Sequence, residues 1–385
     1  VTERVAIVGA GWYGFQSITP EVSYKEMMYE AAVRAYHDAG IDPRRDVDSF
    51  VTVAEDFNEG TSIFDEYTPD QMGGILRPNE TIPGEGLHGL ITAYMQIKTG
   101  LIRVAVVEAH SKVSNILHPA HILAYAMDPI YNRPLGLHPY FIAGLEMQRY
   151  LFETGTTLEQ CAQVVVKNRQ NALLNPLAAY PAELSLADVL DAEPVAEPLT
   201  RLMVAPPADG CVVLVLAAEE VARSLTDTPI WIQGVGWANG SYSLENRDWV
   251  ELDYVRQAAE LAYRTAGIRY PRGSIDFAEI DDAFAYKELQ HLEALSLCRP
   301  GEAGPLTVEG ATSLEGDLPV NPSGGSLGCG HLLDASGLAR ALEVVRQLRG
   351  EAGAHQLPDV EVGLAMGWRG VPTTSAAVVI LARED

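Results

Sequence analysis

Ala31-Ala32-Val33-Arg34-Ala35-Tyr36-His37-Asp38-Ala39-Gly40-Ile41 returns as Ala258-Ala259-Glu260-Leu261-Ala262-Tyr263-Arg264-Thr265-Ala266-Gly267-Ile268, identical at seven of eleven positions at an offset of 227. In both copies the small residues fall at helical spacing on one face. A glycine follows where a helix needs a left-handed residue to stop. The flanks match as well. An apolar strand precedes each copy (Val5–Val8; Ile230–Val235), and a short charged loop and a second strand follow each (Ser49–Val53; Phe277–Ile280). A period this long is not that of a solenoid, so it predicts two copies of a strand–helix–strand unit in one body.

The rest of the chain fits around that duplication. Glu85–Thr99 reads as a helix opened by Pro83-Gly84, followed by the buried strand Val104–Val107. Cys211–Ala217 is another apolar strand, and Val360–Ala365 and Ser375–Ala382 supply the closing ones. Asp282–Leu297 and Leu333–Arg349 read as helices. Only the stretch from about Ser114 to Pro207 breaks the rhythm. It is rich in His, Pro and Tyr, holds helices near Pro139–Thr154 and Thr157–Leu173, and reads as an insertion over one half. The expected organisation is a first half over 1–226, carrying the 114–207 insertion, and a second half over 227–385. Strands alternating with helices predict a layered α/β architecture.

Composition narrows the function. Among 385 residues, 52 acids against 27 bases give a formal charge of −25. Such a surface repels phosphate backbones and anionic lipid, which argues against nucleic acid and membranes as partners. No apolar run reaches the ~18 residues of a membrane span. The opening VTERVAIVGAG runs straight into a strand with no signal-peptide pattern. Cys161, Cys211, Cys298 and Cys329 are scattered without metal-type or redox-type spacing, so a reducing cytoplasm is expected and neither disulfides nor a metal site. Gly9-Ala10-Gly11-Trp12-Tyr13-Gly14 fits the dinucleotide-binding spacing. A loop follows it instead of a helix, and the acid expected ~20 residues on is missing. Those glycines are expected to turn the chain.

The run Asn321-Pro322-Ser323-Gly324-Gly325, then Gly330-His331, then Ala335-Ser336-Gly337-Leu338-Ala339 resembles the C-terminal signature of the thiolase superfamily. The resemblance extends along the chain. Val113-Ser114 stands where that family has Glu-Lys-Met-Ser. Asp281-Asp282-Ala283-Phe284 with Glu288 stands where thiolases of the sterol-carrier-protein type have His-Asp-Cys-Phe and Glu, and Gln347-Leu348-Arg349-Gly350 also matches. The resemblance implies two duplicated αβαβα halves in a five-layered body, with a loop insertion in the first half.

It also shows what is missing. The family's nucleophilic Cys sits at a helix N-terminus, where the dipole lowers its pKa. Counting back from Lys98-Thr99-Gly100 puts that position at or beside Pro83, with Gly86 matching the family's own glycine. No Cys, Ser or Thr lies between Ile82 and Gly89, and the C-terminal Met366-Gly367-Trp368-Arg369-Gly370 lacks the second family Cys. His331 survives, and in the family this histidine donates to a thioester oxygen as an enolate forms. Asp281 falls at the second oxyanion position. An ionised Asp cannot donate there, but it can orient His331 or act as a base, or it can simply be a solvated or capping acid. Asp282 is the expected cap of the helix that follows it. Gly86 and Gly370 are the expected backbone elements of the oxyanion site, and Tyr286, Lys287 and Tyr140 the expected substrate contacts. Arg201 and Arg247 are further candidates for coenzyme A phosphates.

Cys-less steroid side-chain aldolases of this superfamily carry Gly-Val-Pro-Thr-Ser, similar to Gly370-Val371-Pro372-Thr373-Thr374-Ser375 here, although with tyrosines in place of Asp281 and His331. The resemblance therefore implies C–C bond chemistry beside an acyl-CoA thioester, with retro-aldol cleavage of a β-hydroxyacyl-CoA ahead. The alternatives are an acetyl-CoA acetyltransferase-like acyl transfer in lipid metabolism and a non-catalytic acyl-CoA or lipid carrier or scaffold. No bound cofactor is expected, coenzyme A entering as part of the substrate. A homodimer, paired through the strand after the Glu85–Thr99 helix, and a small zinc-ribbon/OB-fold partner subunit are also implied.

Overall fold

The computed structural model describes residues 3–55, 64–241, 243–371 and 373–383. Its strands are β1 (Val5–Gln16), β2 (Ser49–Val53), β3 (Asn79–Ile82), β4 (Val104–Ser111), β5 (Pro194–Ala196), β6 (Leu199–Thr200), β7 (Asp209–Ala218), β8 (Ile230–Asn239), β9 (Phe277–Glu279), β10 (Val362–Arg369) and β11 (Ser375–Ala382). The helices that matter here are α1 (Tyr24–Ala39), α2 (Gly86–Lys98), α3 (Pro139–Thr154), α4 (Leu158–Ala172), α5 (Asp253–Ala266), α6 (Ala285–Ala294), α7 (Gly325–Cys329) and α8 (Ser336–Arg349).

The duplication is written into the strand order, β3-β2-β4-β7-β1-β8-β11-β10-β9, with β5 and β6 forming a separate small ribbon. The run β2-β4-β7-β1 is mirrored by β9-β10-β11-β8. In each half the first pair is parallel and the next two are antiparallel. The halves meet where β1 pairs with β8 around Ala6 and Trp231. Helix α1 covers β1 and β7 on one outer face, and α5 covers β8 and β11 on the other. Between the half-sheets α2 and α8 pack on each other, and one apolar core joins them to the inner faces of both halves. The result is the five-layered thiolase α/β fold.

The repeated helix ends as its sequence requires, with Gly40 at φ 67° and Gly267 at φ 72°. The glycines of the Gly9–Gly14 run do not turn the chain, contrary to expectation; β1 passes through them. They seat a helix. A Cβ on Gly9 or Gly11 would collide with the carbonyls of Ala35 and Ala31, and one on Gly234 or Gly236 with those of Ala262 and Ala258. Strand glycines and helix alanines are thus one close-packing device, present twice.

The insertion leaves the first half and lies on the second. Asn168 of α4 donates to Asp282 at 2.9 Å, Lys167 pairs with Glu288 at 2.8 Å, and Glu146 of α3 pairs with Lys287 at 2.8 Å. Pairing of copies through the strand after α2, expected from the sequence, does not fit the sheet. Strand β4 is hydrogen-bonded on both sides, by β2 and β7, so it cannot pair with another chain. Among the described residues no strand pairs with the outer edge of β3. No helix is long and apolar enough to cross a membrane among those residues.

Candidate active site

The loop from Asn321 to His331 is built by buried side-chain bonds to the neighbouring turn. Asn321 Oδ1 accepts from the Ile280 amide at 2.8 Å, and its Nδ2 donates to Glu288 at 2.7 Å. Contrary to expectation, Asp282 caps not the helix that follows it but α7, accepting from the Ser326 and Leu327 amides at 2.6 and 3.1 Å. Gly325 must be glycine, since its φ is 58° and a Cβ would overlap the Asp282 carboxylate. The chain then returns at His331, stitched to the end of the insertion. Its amide donates to the Pro206 carbonyl at 2.7 Å, and its carbonyl accepts from Ala208 at 3.0 Å.

That placement fixes the imidazole. The Leu333 amide donates to His331 Nδ1 at 3.2 Å, so Nδ1 acts as acceptor and the hydrogen of the neutral ring sits on Nε2. Burial pushes its pKa down, with Asp281 pulling the other way and Arg340 adding to the fall. The half-buried ring lines a cavity of about 220 Å³ beneath the insertion. Ile116, Leu123, Tyr140, Phe284, Trp368 and Val371 supply apolar wall. Glu55, Glu85, Asp334 and Arg369 supply the charged groups. Glu55 pairs with Arg369, and its amide donates to Asp334 Oδ2 at 3.0 Å.

Glu85 is the most distinctive of these. It is the N-cap of α2, its Oε2 accepting from the Leu87 amide at 3.0 Å. Its carboxyl occupies the space left by Gly337 and Gly367, since a Cβ on either would overlap it. Burial pushes that carboxyl up to about 7, against the pull of Arg340 and of the Leu87 and Gly337 amides, with Asp281 adding to the rise.

The cavity gathers His331, Tyr140 and Gly370 from the expected set, and leaves out Asp281, Gly86, Tyr286 and Lys287. Asp281 is turned away, its Oδ2 2.8 Å from Arg340 and its Oδ1 accepting from the Ala283 amide at 3.0 Å. Burial alone would push Asp281 up, but the Arg340 guanidinium outweighs this and holds it low. Its carboxylate makes no hydrogen bond to His331, whose Nδ1 is bonded to the Leu333 amide instead. Gly86 lies 2.7 Å, as a Cβ would measure it, from the Leu338 amide, and serves the contact of α2 with α8. Tyr286 and Lys287 are buried behind the wall. Both bond Glu146, and Lys287 Nζ lies 4.5 Å from the Trp368 ring centre, on which it acts as a cation–π support. Trp368 is also held by its indole N–H donating to Tyr254 at 2.8 Å.

Sequence reasoning missed Glu85, Glu55, Asp334, Arg369 and Trp368 as cavity residues. For Glu85 one signal existed, an acid two residues beyond the position of the family nucleophile and at the start of a helix. The four cysteines lie outside the cavity. Burial pushes the Cys161 and Cys298 thiols up to about 12 and those of Cys211 and Cys329 well above their ordinary value; Cys329 Sγ donates to the Ser323 carbonyl at 3.2 Å. Pro372, in the Gly-Val-Pro-Thr run, lies outside the described residues.

The Thiolase C-terminal domain-like family matches residues 236–383. An acetyl-CoA acetyltransferase from Methanothermobacter thermautotrophicus is 32% identical over 387 residues, covering 98% of this chain and 99% of its own. The solved Ltp2-ChsH2(DUF35) aldolase superimposes with a TM-score of 0.84 at 27% identity, covering 99% of this chain and 98% of that one. An acetyl-CoA acetyltransferase structure from Syntrophomonas wolfei gives 0.76 at 18% identity, with both chains covered in full at 100%, a likeness of fold. With its signature loop, its duplicated sheet and a relative alike over nearly the whole length, the chain belongs to the thiolase superfamily.

Proposed function

We propose that the protein cleaves the Cα–Cβ bond of a β-hydroxyacyl-CoA by retro-aldol chemistry, with no covalent acyl-enzyme. The observation that carries this reading is the cavity itself: it presents a histidine N–H donor, and no thiol or serine hydroxyl lines it among the described residues. Its one hydroxyl on an aliphatic side chain, Thr373, donates to the Arg369 and Gly370 carbonyls. Thiolytic transfer needs a sulfur nucleophile, whereas retro-aldol cleavage needs a base and a donor for the thioester enolate. His331 Nε2–H supplies the donor. Likeness to the Ltp2-ChsH2(DUF35) aldolase supports the reading, and the two components in that aldolase's name support a separate partner subunit here as well. The competing reading, acyl transfer, is favoured by the name of the Methanothermobacter relative.

One assay separates the two. The purified protein, alone and with any co-encoded partner, is given a β-hydroxyacyl-CoA, and separately a β-ketoacyl-CoA with free coenzyme A. The expected result is release of a carbonyl compound and a shortened acyl-CoA from the first only, with iodoacetamide-treated protein and the four Cys→Ser variants active within about an order of magnitude of wild type. Thiolysis abolished in Cys329→Ser would establish acyl transfer instead. The same reading includes a homodimer paired through the outer edge of β3, which no strand among the described residues occupies. Light scattering at micromolar concentration is expected to give twice the chain mass, and a Thr81→Pro change, which removes an edge amide, to shift it toward monomer. A monomeric wild type would end this part of the proposal.

A further inference from the structure

The cleavage needs a group to take the β-hydroxyl proton, and most polar groups at the cavity are already committed. Glu55 is paired with Arg369, Asp334 accepts from the Glu55 amide, and His331 Nδ1 accepts from Leu333. Asp281 is outside the cavity, bonded to Arg340. Glu85 is different. One carboxylate oxygen caps α2, while the other, Oε1, is buried against the Gly337 backbone and paired with no other side chain. The glycines at 337 and 367, from opposite ends of the second half, leave room for this carboxyl and for no side chain of their own.

We propose that Glu85 is the acid–base residue of the site, taking the proton from the substrate β-hydroxyl and returning it to Cα. The inference rests on the retro-aldol reading. As the Glu85 carboxylate removes the proton, the O–H pair becomes the C=O of the departing aldehyde or ketone. The Cα–Cβ pair moves onto the thioester as an enolate, held by His331 Nε2–H. The enolate then takes the proton from Glu85, leaving a shortened acyl-CoA and the carboxylate restored. Atoms and electrons balance with no co-reactant. The substrate class follows: a β-hydroxyacyl thioester whose hydroxyl reaches the start of α2 and whose apolar acyl chain lies against Tyr140, Phe284 and Trp368.

The surroundings suit a group that must exist in both protonation states near neutrality. Glu85 faces the Arg340 cation and the Asp281 anion from behind, with His331, Asp334 and the Glu55–Arg369 pair around the cavity. Its folded-state pKa of about 7 lies above the unfolded value. The stabilisation of its protonated form is therefore full below about pH 4.5 and is lost as pH rises through about 7.

The test compares wild type with Glu85→Gln and Glu85→Asp. Glu85→Gln keeps the helix cap and is expected to bind a saturated acyl-CoA as wild type does in calorimetry, while kcat falls about 10²–10⁴-fold. Glu85→Asp should restore part of it. The rise of wild-type kcat with pH near 7 should vanish in Glu85→Gln, and the melting temperature of Glu85→Gln relative to wild type should climb between about pH 5 and about pH 7.5. Turnover of Glu85→Gln within about tenfold of wild type, with the pH limb intact, overturns the assignment and leaves retro-aldol cleavage standing. If wild type cleaves no β-hydroxyacyl-CoA, the retro-aldol reading falls, and exchange of the acyl-CoA Cα proton in D₂O decides Glu85. Exchange by wild type and not by Glu85→Gln sustains it; exchange by both or by neither overturns it.

Discussion

Replacing His331 by alanine is expected to lower kcat about 10²–10³-fold with acyl-CoA binding nearly unchanged, the loss typical of one oxyanion donor. The magnitude follows from what the ring does. Its Nδ1 is occupied by the Leu333 amide, so in the proposed retro-aldol reaction Nε2–H is the donor left for the thioester enolate. The donor is fixed before reaction because the backbone on either side of His331 is bonded to the insertion, at Pro206 and Ala208. A histidine held neutral keeps this donor across the whole range above its depressed pKa, so the loss in His331→Ala should not depend on pH there. His331→Gln places an amide N–H near the position of Nε2 and should recover part of the rate. Equal kcat in His331→Ala and wild type would remove the histidine from the chemistry.

A dyad of Asp281 with His331 predicts that Asp281→Asn should match that loss. The geometry predicts otherwise. Asp281 bonds Arg340 and the Ala283 amide, so its removal should act on folding and only indirectly on turnover. The difference shows where sequence reading ends. The duplicated body was legible because the repeated helix, its terminal glycine and its flanking strands are local and appear twice. His331 was legible because it sits inside a signature. Asp281 also lies in a matched motif, but its partner is 59 positions away on α8, and nothing local says which way the carboxylate turns. Tyr286 and Lys287 read as substrate contacts until Glu146, from the insertion, claims both. Glu85 is the mirror case. Within Pro-Gly-Glu-Gly it reads as an ordinary acid at a helix start, and only Gly337 and Gly367, brought in by the fold, make it a buried one. The glycine run of β1 misleads for the same reason, since its partner is the face of α1.

The largest loss of stability is expected from Arg340→Met. Helix α8 lies between the two half-sheets and is buried along most of its length, yet it carries Arg340, Glu343 and Arg346. A charged residue there must find its counter-ions within the protein. Arg340 Nη2 lies 2.8 Å from Asp281, 4.0 Å from Asp282 and 2.8 Å from the Ser326 hydroxyl, and its field also reaches Glu85 and Glu279. One guanidinium thus serves four buried carboxyls. Burial and neighbouring acids already push the carboxyls of Asp282 and Glu279 up even with Arg340 present. Methionine matches the apolar stem but leaves Asp281 charged in the core without its cation, for which about 3–5 kcal/mol is the usual cost. In thermal unfolding of a chain of 385 residues that corresponds to roughly 4–6 °C. The sign of the pH dependence is a further check. Without Arg340 the folded-state pKa of Asp281 rises above its unfolded value, so the deficit should be smallest in acid and widen as pH rises toward neutrality. Adding Asp281→Asn to Arg340→Met removes the stranded charge and should recover a good part of the loss, the non-additivity expected of residues in contact. An Arg340→Met protein that melts with wild type at pH 7 would mean that water, not this guanidinium, compensates the buried carboxylates.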